Sequence, residues 1–127
     1  MGVEFKQAIP VFRIFSVEKA REFYLDFLGF TVEWEHRFDP DAPLYMCVTR
    51  GALSFHLSEH HGDGTPGSRA YILASGLAEF HRELTGKAYK YNRPSLDRQP
   101  WGMLEVTVVD PFNNRITFAE PDGTASA

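Results

Sequence analysis

The chain has 127 residues, 43% apolar and 24% charged, with a formal net charge of −4 at pH 7 and a single cysteine. That length fits one domain, which buries about two-thirds of its unfolded surface without disulfide staples. Cys47 has no partner for an internal bridge, which points to a reducing compartment, the cytoplasm. Basic residues are scattered, so the positive footprint that nucleic acid demands is missing. No apolar run approaches the ~20 residues of a membrane span. The opening residues, Met1-Gly2-Val3-Glu4-Phe5-Lys6-Gln7, lack the basic-then-apolar pattern of a secretory leader.

Residues 5–14 are rich in β-branched and aromatic side chains and read as a strand, with Pro10 marking an edge or bulge. Ser16 stands as an N-cap before a helical stripe of Val17, Ala20, Phe23, Tyr24, Phe27 and Leu28, which Gly29 stops. Residues 30–35 alternate Phe30, Val32 and Trp34 against Thr31, Glu33 and Glu35, the period of a half-buried strand. After the turn Asp39-Pro40-Asp41-Ala42-Pro43, residues 44–49 and 53–58 form a hairpin across Arg50-Gly51-Ala52. The Gly- and Pro-rich stretch from His60 to Gly67 is the midpoint linker.

The second half repeats the order. Residues 70–74 read as a strand, and 77–84 carry a helical stripe of Leu77, Phe80 and Leu84 that Thr85-Gly86 ends. Strands follow at 88–91, at 103–109 and, after Asp110-Pro111-Phe112-Asn113-Asn114, at 115–120. Glu22-Phe23 with Asp26 and Gly29 matches Glu79-Phe80 with Glu83 and Gly86 at the same offsets, and Ser54–Glu59 matches Arg115–Glu120. The fold class is therefore α+β: one domain, 1–127, of two βαβββ modules at about 4–61 and 68–121. With one helix for four strands, a module covers only one face of its sheet. The uncovered faces are expected to curl around a cleft.

The segments Ala20-Arg21-Glu22-Phe23-Tyr24 through Leu28-Gly29-Phe30, Gln99-Pro100-Trp101-Gly102, and Asp110-Pro111 with Asn113-Asn114 leading into Ile116-Thr117-Phe118 carry a resemblance. They resemble the vicinal oxygen chelate superfamily of glyoxalases, extradiol dioxygenases and bleomycin resistance proteins. The QPWG element is most similar to the bleomycin-resistance branch. The resemblance implies an interlocked or domain-swapped homodimer with a small-molecule cleft between subunits. It also implies four metal-ligand positions, which map onto Ile9, His56, Ala70 and Thr117. Only His56 is a metal-binding side chain, whereas a catalytic site needs about three protein ligands. No cofactor is expected, and the protein reads as a binding protein more than an enzyme.

The ligand-binding residues expected in the cleft are Trp34, Phe38, His56, Trp101, Glu105 and Thr117. In the bleomycin-resistance branch, aromatics at the places of Trp34, Phe38 and Trp101 line the drug groove. Such rings stack on a planar ligand, and Glu33, Glu35, Asp39 and Asp41 are carboxylates positioned to meet a cation. Glu105 is flanked by Leu104 and Val106, and Arg13 is its expected partner. The function read from these features is sequestration of a cationic, aromatic molecule of the bleomycin type, without bond breaking and without nucleic acid or membrane as partner. The alternative is a metal-dependent lyase, isomerase or dioxygenase using His56 with Glu59, His60 or His61. Strand alternation weakens it, because His56 and Glu59 fall on opposite faces.

Overall fold

The computed structural model describes residues 2–123. Two four-stranded mixed sheets share one topology. The first is built from β1 (Val11–Arg13), β2 (Thr31–His36), β3 (Tyr45–Arg50) and β4 (Leu53–Ser58), in the order β1-β4-β3-β2. The second is built from β5 (Arg69–Leu73), β6 (Asp97–Arg98), β7 (Met103–Val109) and β8 (Arg115–Pro121), in the order β5-β8-β7-β6. In both, the first strand runs parallel to the fourth and the rest of the sheet is antiparallel. The repeat legible in the letters is thus a repeat in space.

The helix of the first half begins at Ser16, whose hydroxyl accepts from the Lys19 N–H at 3.1 Å. It runs as α1 (Val17–Arg21) and continues as a π-helical segment, Glu22–Phe27. Gly29 ends it at φ +80, a left-handed backbone conformation that favours glycine. The second helix, α2 (Leu77–Gly86), has Gly76 at its N-cap, and Glu120 from β8 supplies the missing cap by accepting from the Leu77 N–H at 2.7 Å.

Both helices and the inner faces of both sheets enter one core. Phe12 of the first strand and Ile14 just beyond it, Met46, Val48, Phe55 and Leu57 of the hairpin, and Val106, Val108, Ile116 and Phe118 of the second sheet all join it. Across this core the halves are bolted by a buried carboxylate. Asp110 accepts from Tyr24 Oη (2.7 Å), Asn114 Nδ2 (2.9 Å) and the N–H groups of Phe112 (2.9 Å) and Asn114 (2.7 Å). Asn114 in turn donates to the Arg13 carbonyl of β1 at 3.1 Å. Asn113 takes the left-handed conformation (φ 69) that the turn requires and that asparagine tolerates. The DPxxN element is thus a structural joint between modules. Arg50 adds a paired contact to Glu83 (2.8 Å to each oxygen), and Lys87 donates to the carbonyls of Asp26 and Phe27 at the end of the π-helical segment.

Four expectations are corrected. The first strand starts at Val11, because Pro10 has no N–H to continue the ladder, although its carbonyl still accepts from His56 at 2.9 Å. Residues 88–91 form turns, because Tyr89 leaves the sheet to pack on Phe27 (4.7 Å between ring centres) and bond Glu22 (3.1 Å). The edge strand of that module is only the pair Asp97–Arg98. The second helix runs through Gly86, and Ala88 is the residue with positive φ (52) beyond it. Finally, Trp34 leaves the face of Phe30 and Val32, for a reason that shapes the site.

Removing the buried carboxylate with Asp110→Ala strands four donors and is expected to lower unfolding free energy by about 3 kcal/mol, against about 1 kcal/mol for Tyr24→Phe. Burial also holds the Asp110 pKa above the ordinary carboxylate value. A raised folded-state pKa contributes stability that is full below the ordinary value and lost as pH rises through the folded one. The stability gap between wild type and Asp110→Asn should therefore be widest in acid and narrow towards neutrality in urea melts.

Candidate functional site

Each sheet has a second face outside the shared core. On the first sheet, strand alternation sends Tyr45, Cys47 and Thr49 of β3, and Ser54 and His56 of β4, to that open face, while Met46, Val48, Phe55 and Leu57 go inward. β2 would have contributed only every other residue, but its register with β3 shifts between Val32 and Trp34. This bulge at Glu33 turns Glu33 and Trp34 to the same open side, whereas Glu35 faces the helix layer and pairs with Arg21. Trp34 stacks on Tyr45 (5.9 Å, 9° between planes) and meets His56 edge-on at 5.1 Å. Tyr45 Oη lies 2.8 Å from His56 Nδ1. Glu33 accepts from the Thr49 hydroxyl at 2.9 Å, beside the buried Cys47.

A recess of about 380 Å³ opens beside this cluster, lined by Trp34, His36, Phe38, Tyr45, His60 and Asp63. Phe38 is 78% exposed and packs edge-on against both His36 (4.8 Å) and His60 (6.0 Å). Asp63 is fixed by the Ser58 hydroxyl at 2.8 Å. Of the other loop acids, Asp39 is spent on an Asx turn, accepting from the Asp41 N–H at 3.0 Å.

On the second sheet the open face carries Arg69 and Tyr71 of β5, Glu105 and Thr107 of β7, and Thr117 of β8. Glu105 is only 7% exposed, and its carboxylate accepts a hydrogen bond from the Tyr71 hydroxyl at 2.7 Å. That bond holds the Tyr71 proton and pushes its pKa up, while Trp101 beside it acts in the opposite direction. Arg13 is not the partner of Glu105; its guanidinium lies over the Phe15 ring at 4.5 Å on the first sheet. Asp97 stands directly across from Glu105 on the edge strand. Trp101, 63% exposed, is presented by the Gln99-Pro100-Trp101-Gly102 turn, closed by the Gly102 N–H to Gln99 carbonyl bond (3.0 Å) with Gly102 at φ 84. Thr117 is on this face but fully buried, bonded to Thr107 (2.8 Å) and to Arg69 (3.4 Å), so it offers no exposed surface to a ligand.

The structure also corrects the metal-ligand mapping. The residues level with His56 and Thr117 are Val11 and Tyr71, not Ile9 and Ala70. Ile9 precedes the strand and Ala70 packs against the core. Val11, His56, Tyr71 and Thr117 do not fit a divalent-cation site, which needs about three ligating side chains. Glu59 is bonded to the Leu44 N–H at 2.9 Å and His61 is exposed away from the recess, whereas His60 lines the recess 6.4 Å from the Tyr45 ring. Among the described residues, no group of three or more His, Cys, Asp or Glu is placed to hold a metal ion.

Of the residues expected in the site, Trp34, Phe38 and His56 stand on or beside the first open face and Trp101 and Glu105 on the second, while Tyr45, Tyr71, Asp63 and the bulged position of Glu33 were not anticipated. Period two in Tyr45-Cys47-Thr49 and Arg69-Tyr71-Leu73 held the signal for the two tyrosines.

Two βαβββ units with a common core and two open sheet faces define an α+β fold of paired four-stranded mixed sheets. A profile described as "Glyoxalase superfamily protein" matches residues 1–124, and the chain belongs to that superfamily. The bleomycin resistance protein of Geobacillus stearothermophilus is 28% identical over 130 residues, covering 88% of this chain and 94% of that protein. The crystal structure of the bleomycin-binding protein from bleomycin-producing Streptomyces verticillus, complexed with copper(II)-bleomycin, superposes with a TM-score of 0.68 at 27% identity over 92% of this chain and 97% of that one. A glyoxalase-related enzyme from Clostridium phytofermentans superposes with a TM-score of 0.74 at 19% identity, over 94% and 98% of the two chains. No helix among the described residues is long and apolar enough to cross a membrane.

Because Glu105 holds the Tyr71 proton, Glu105→Gln is expected to bring Tyr71 ionisation down towards that of free tyrosine. Carbon NMR of labelled tyrosines across alkaline pH reads the shift, with the other tyrosines as internal controls.

Proposed function

We propose that the protein sequesters a cationic, aromatic small molecule of the bleomycin type, without chemical turnover, in the cytoplasm. The observation that carries this reading is that both open faces pair exposed rings with carboxylates. Trp34, Tyr45 and Phe38 stand with Glu33 and Asp63 on one sheet, and Trp101 and Tyr71 stand with Glu105 and Asp97 on the other. Rings supply stacking surface and cation–π attraction, and carboxylates supply the counter-charge.

The two open faces belong to two different sheets of the chain. Among the described residues, their ring and polar contacts stay within each sheet and its flanking loops: Glu33 with Thr49 and Tyr45 with His56 on the first sheet, Tyr71 with Glu105 and Thr107 with Thr117 on the second. A ligand held from both sides therefore needs a second copy of the chain. The proposed assembly is a homodimer in which the first sheet of one protomer faces the second sheet of its partner, giving two equivalent clefts. The bleomycin resistance proteins and the bleomycin-bound neighbour support the ligand class. The single thiol of Cys47 suits a reducing compartment.

Calorimetric titration with bleomycin tests the reading. Saturable binding at one ligand per chain is expected, weakened about tenfold or more by either Trp34→Ala or Trp101→Ala, as loss of a stacked ring implies. No saturable binding to folded protein, by bleomycin or by other cationic aromatics, contradicts it.

A further inference from the structure

The contact between Tyr45 and His56 decides what kind of group the first sheet can recognise. Tyr45 Oη and His56 Nδ1 are 2.8 Å apart, and each is the other's only hydrogen-bond partner among the described residues. A neutral phenol has one proton to place, and the imidazole nitrogen is the only acceptor in reach among the described residues. Burial, with Asp63 and Cys47 nearby, keeps that phenol protonated by raising its pKa. An imidazole whose Nδ1 accepts carries its own proton on Nε2 in the neutral form. Among the described residues Nε2 has no hydrogen-bond partner, and it is not sealed from the surface, so solvent reaches it. Trp34 and Tyr45 flank the ring, edge-on at 5.1 and 5.2 Å, and stack on each other.

We infer that Tyr45 is a specificity-determining residue: it fixes His56 as a hydrogen-bond donor through Nε2–H, so this face selects planar heteroaromatic ligands that carry an in-plane acceptor, a ring nitrogen or carbonyl oxygen. The inference rests on the reading of the open faces as a binding site and adds the acceptor to the cation and ring already assigned. A ligand presenting an N–H at this point meets donor against donor and is disfavoured, and a purely carbocyclic ring stacks but leaves the Nε2–H unpaired. The same tautomer leaves no lone pair on Nε2 for a metal ion, which gives the lone histidine of the superfamily's ligand positions a different use.

Nitrogen NMR of the unliganded protein with labelled histidines, recorded at alkaline pH, reads the tautomer directly. The proton is expected on Nε2 of His56 with Nδ1 bare, and Tyr45→Phe is expected to move the resonances towards a mixture. Binding is read with two probes of matched shape and charge, quinoline and naphthalene bearing the same aminomethyl group. The quinoline, with its ring nitrogen placed towards the face, should bind about five- to tenfold more tightly to wild type, the worth of one hydrogen bond. His56→Phe should erase that preference while both amines still bind. A proton found on Nδ1, or a quinoline preference that survives His56→Phe, overturns the inference. If the proton sits on Nε2 but neither amine binds, the donor assignment stands and the reading of the face as a binding site falls.

Discussion

Everything in this molecule depends on the Asp110 joint. A carboxylate removed from water is costly unless its lone pairs are met, and Asp110 meets them with four donors drawn from both halves of the chain. Tyr24 reaches it from the first helix, and Asn114 passes the connection to the backbone of β1. The result fixes the helix-covered faces of the two modules on one core and leaves the other face of each sheet uncovered. Where the ligand surfaces lie is thus a consequence of how the modules are joined.

On those uncovered faces, two small departures from regular structure do the presenting. The bulge in β2 adds one residue and so rotates Trp34 out of the core pattern that Phe30 and Val32 keep. The Gly102 turn, with its left-handed backbone, holds Trp101 clear of the end of β7. Both devices place a large ring where simple alternation would have buried it or lost it. The tyrosines then set the polar chemistry: Tyr45 orients His56, and Tyr71 holds Glu105.

Much of the fold was legible because its signals are local or periodic. Strands at 53–58 and 103–109 were read with their observed limits, since alternation and turn residues bracket them. The module repeat was visible because equivalent residues, such as Ser54–Glu59 and Arg115–Glu120, occupy equivalent strands. What escaped was long-range. Tyr89 has the look of a strand residue, and only the distant surface of Phe27 and Glu22 explains why it is not one. The bulge at Glu33 leaves the letters of β2 alternating as if nothing interrupted them, so the face of Trp34 was misassigned while its exposure was anticipated. The partner of Glu105 was missed for the same reason: Tyr71 is 34 residues away and is brought near by the parallel pairing of β5 with β8.

We propose that a working site is composed of the first sheet of one chain and the second sheet of another. Complementation in trans tests it most directly. Trp34→Ala and Trp101→Ala proteins, each impaired in bleomycin binding, are mixed in equal amounts, dissociated and allowed to reassociate. Mixed dimers then hold one cleft with both tryptophans and one with neither, so tight binding should return in about a quarter of all clefts. A mixture that binds no better than the average of its two components contradicts the account.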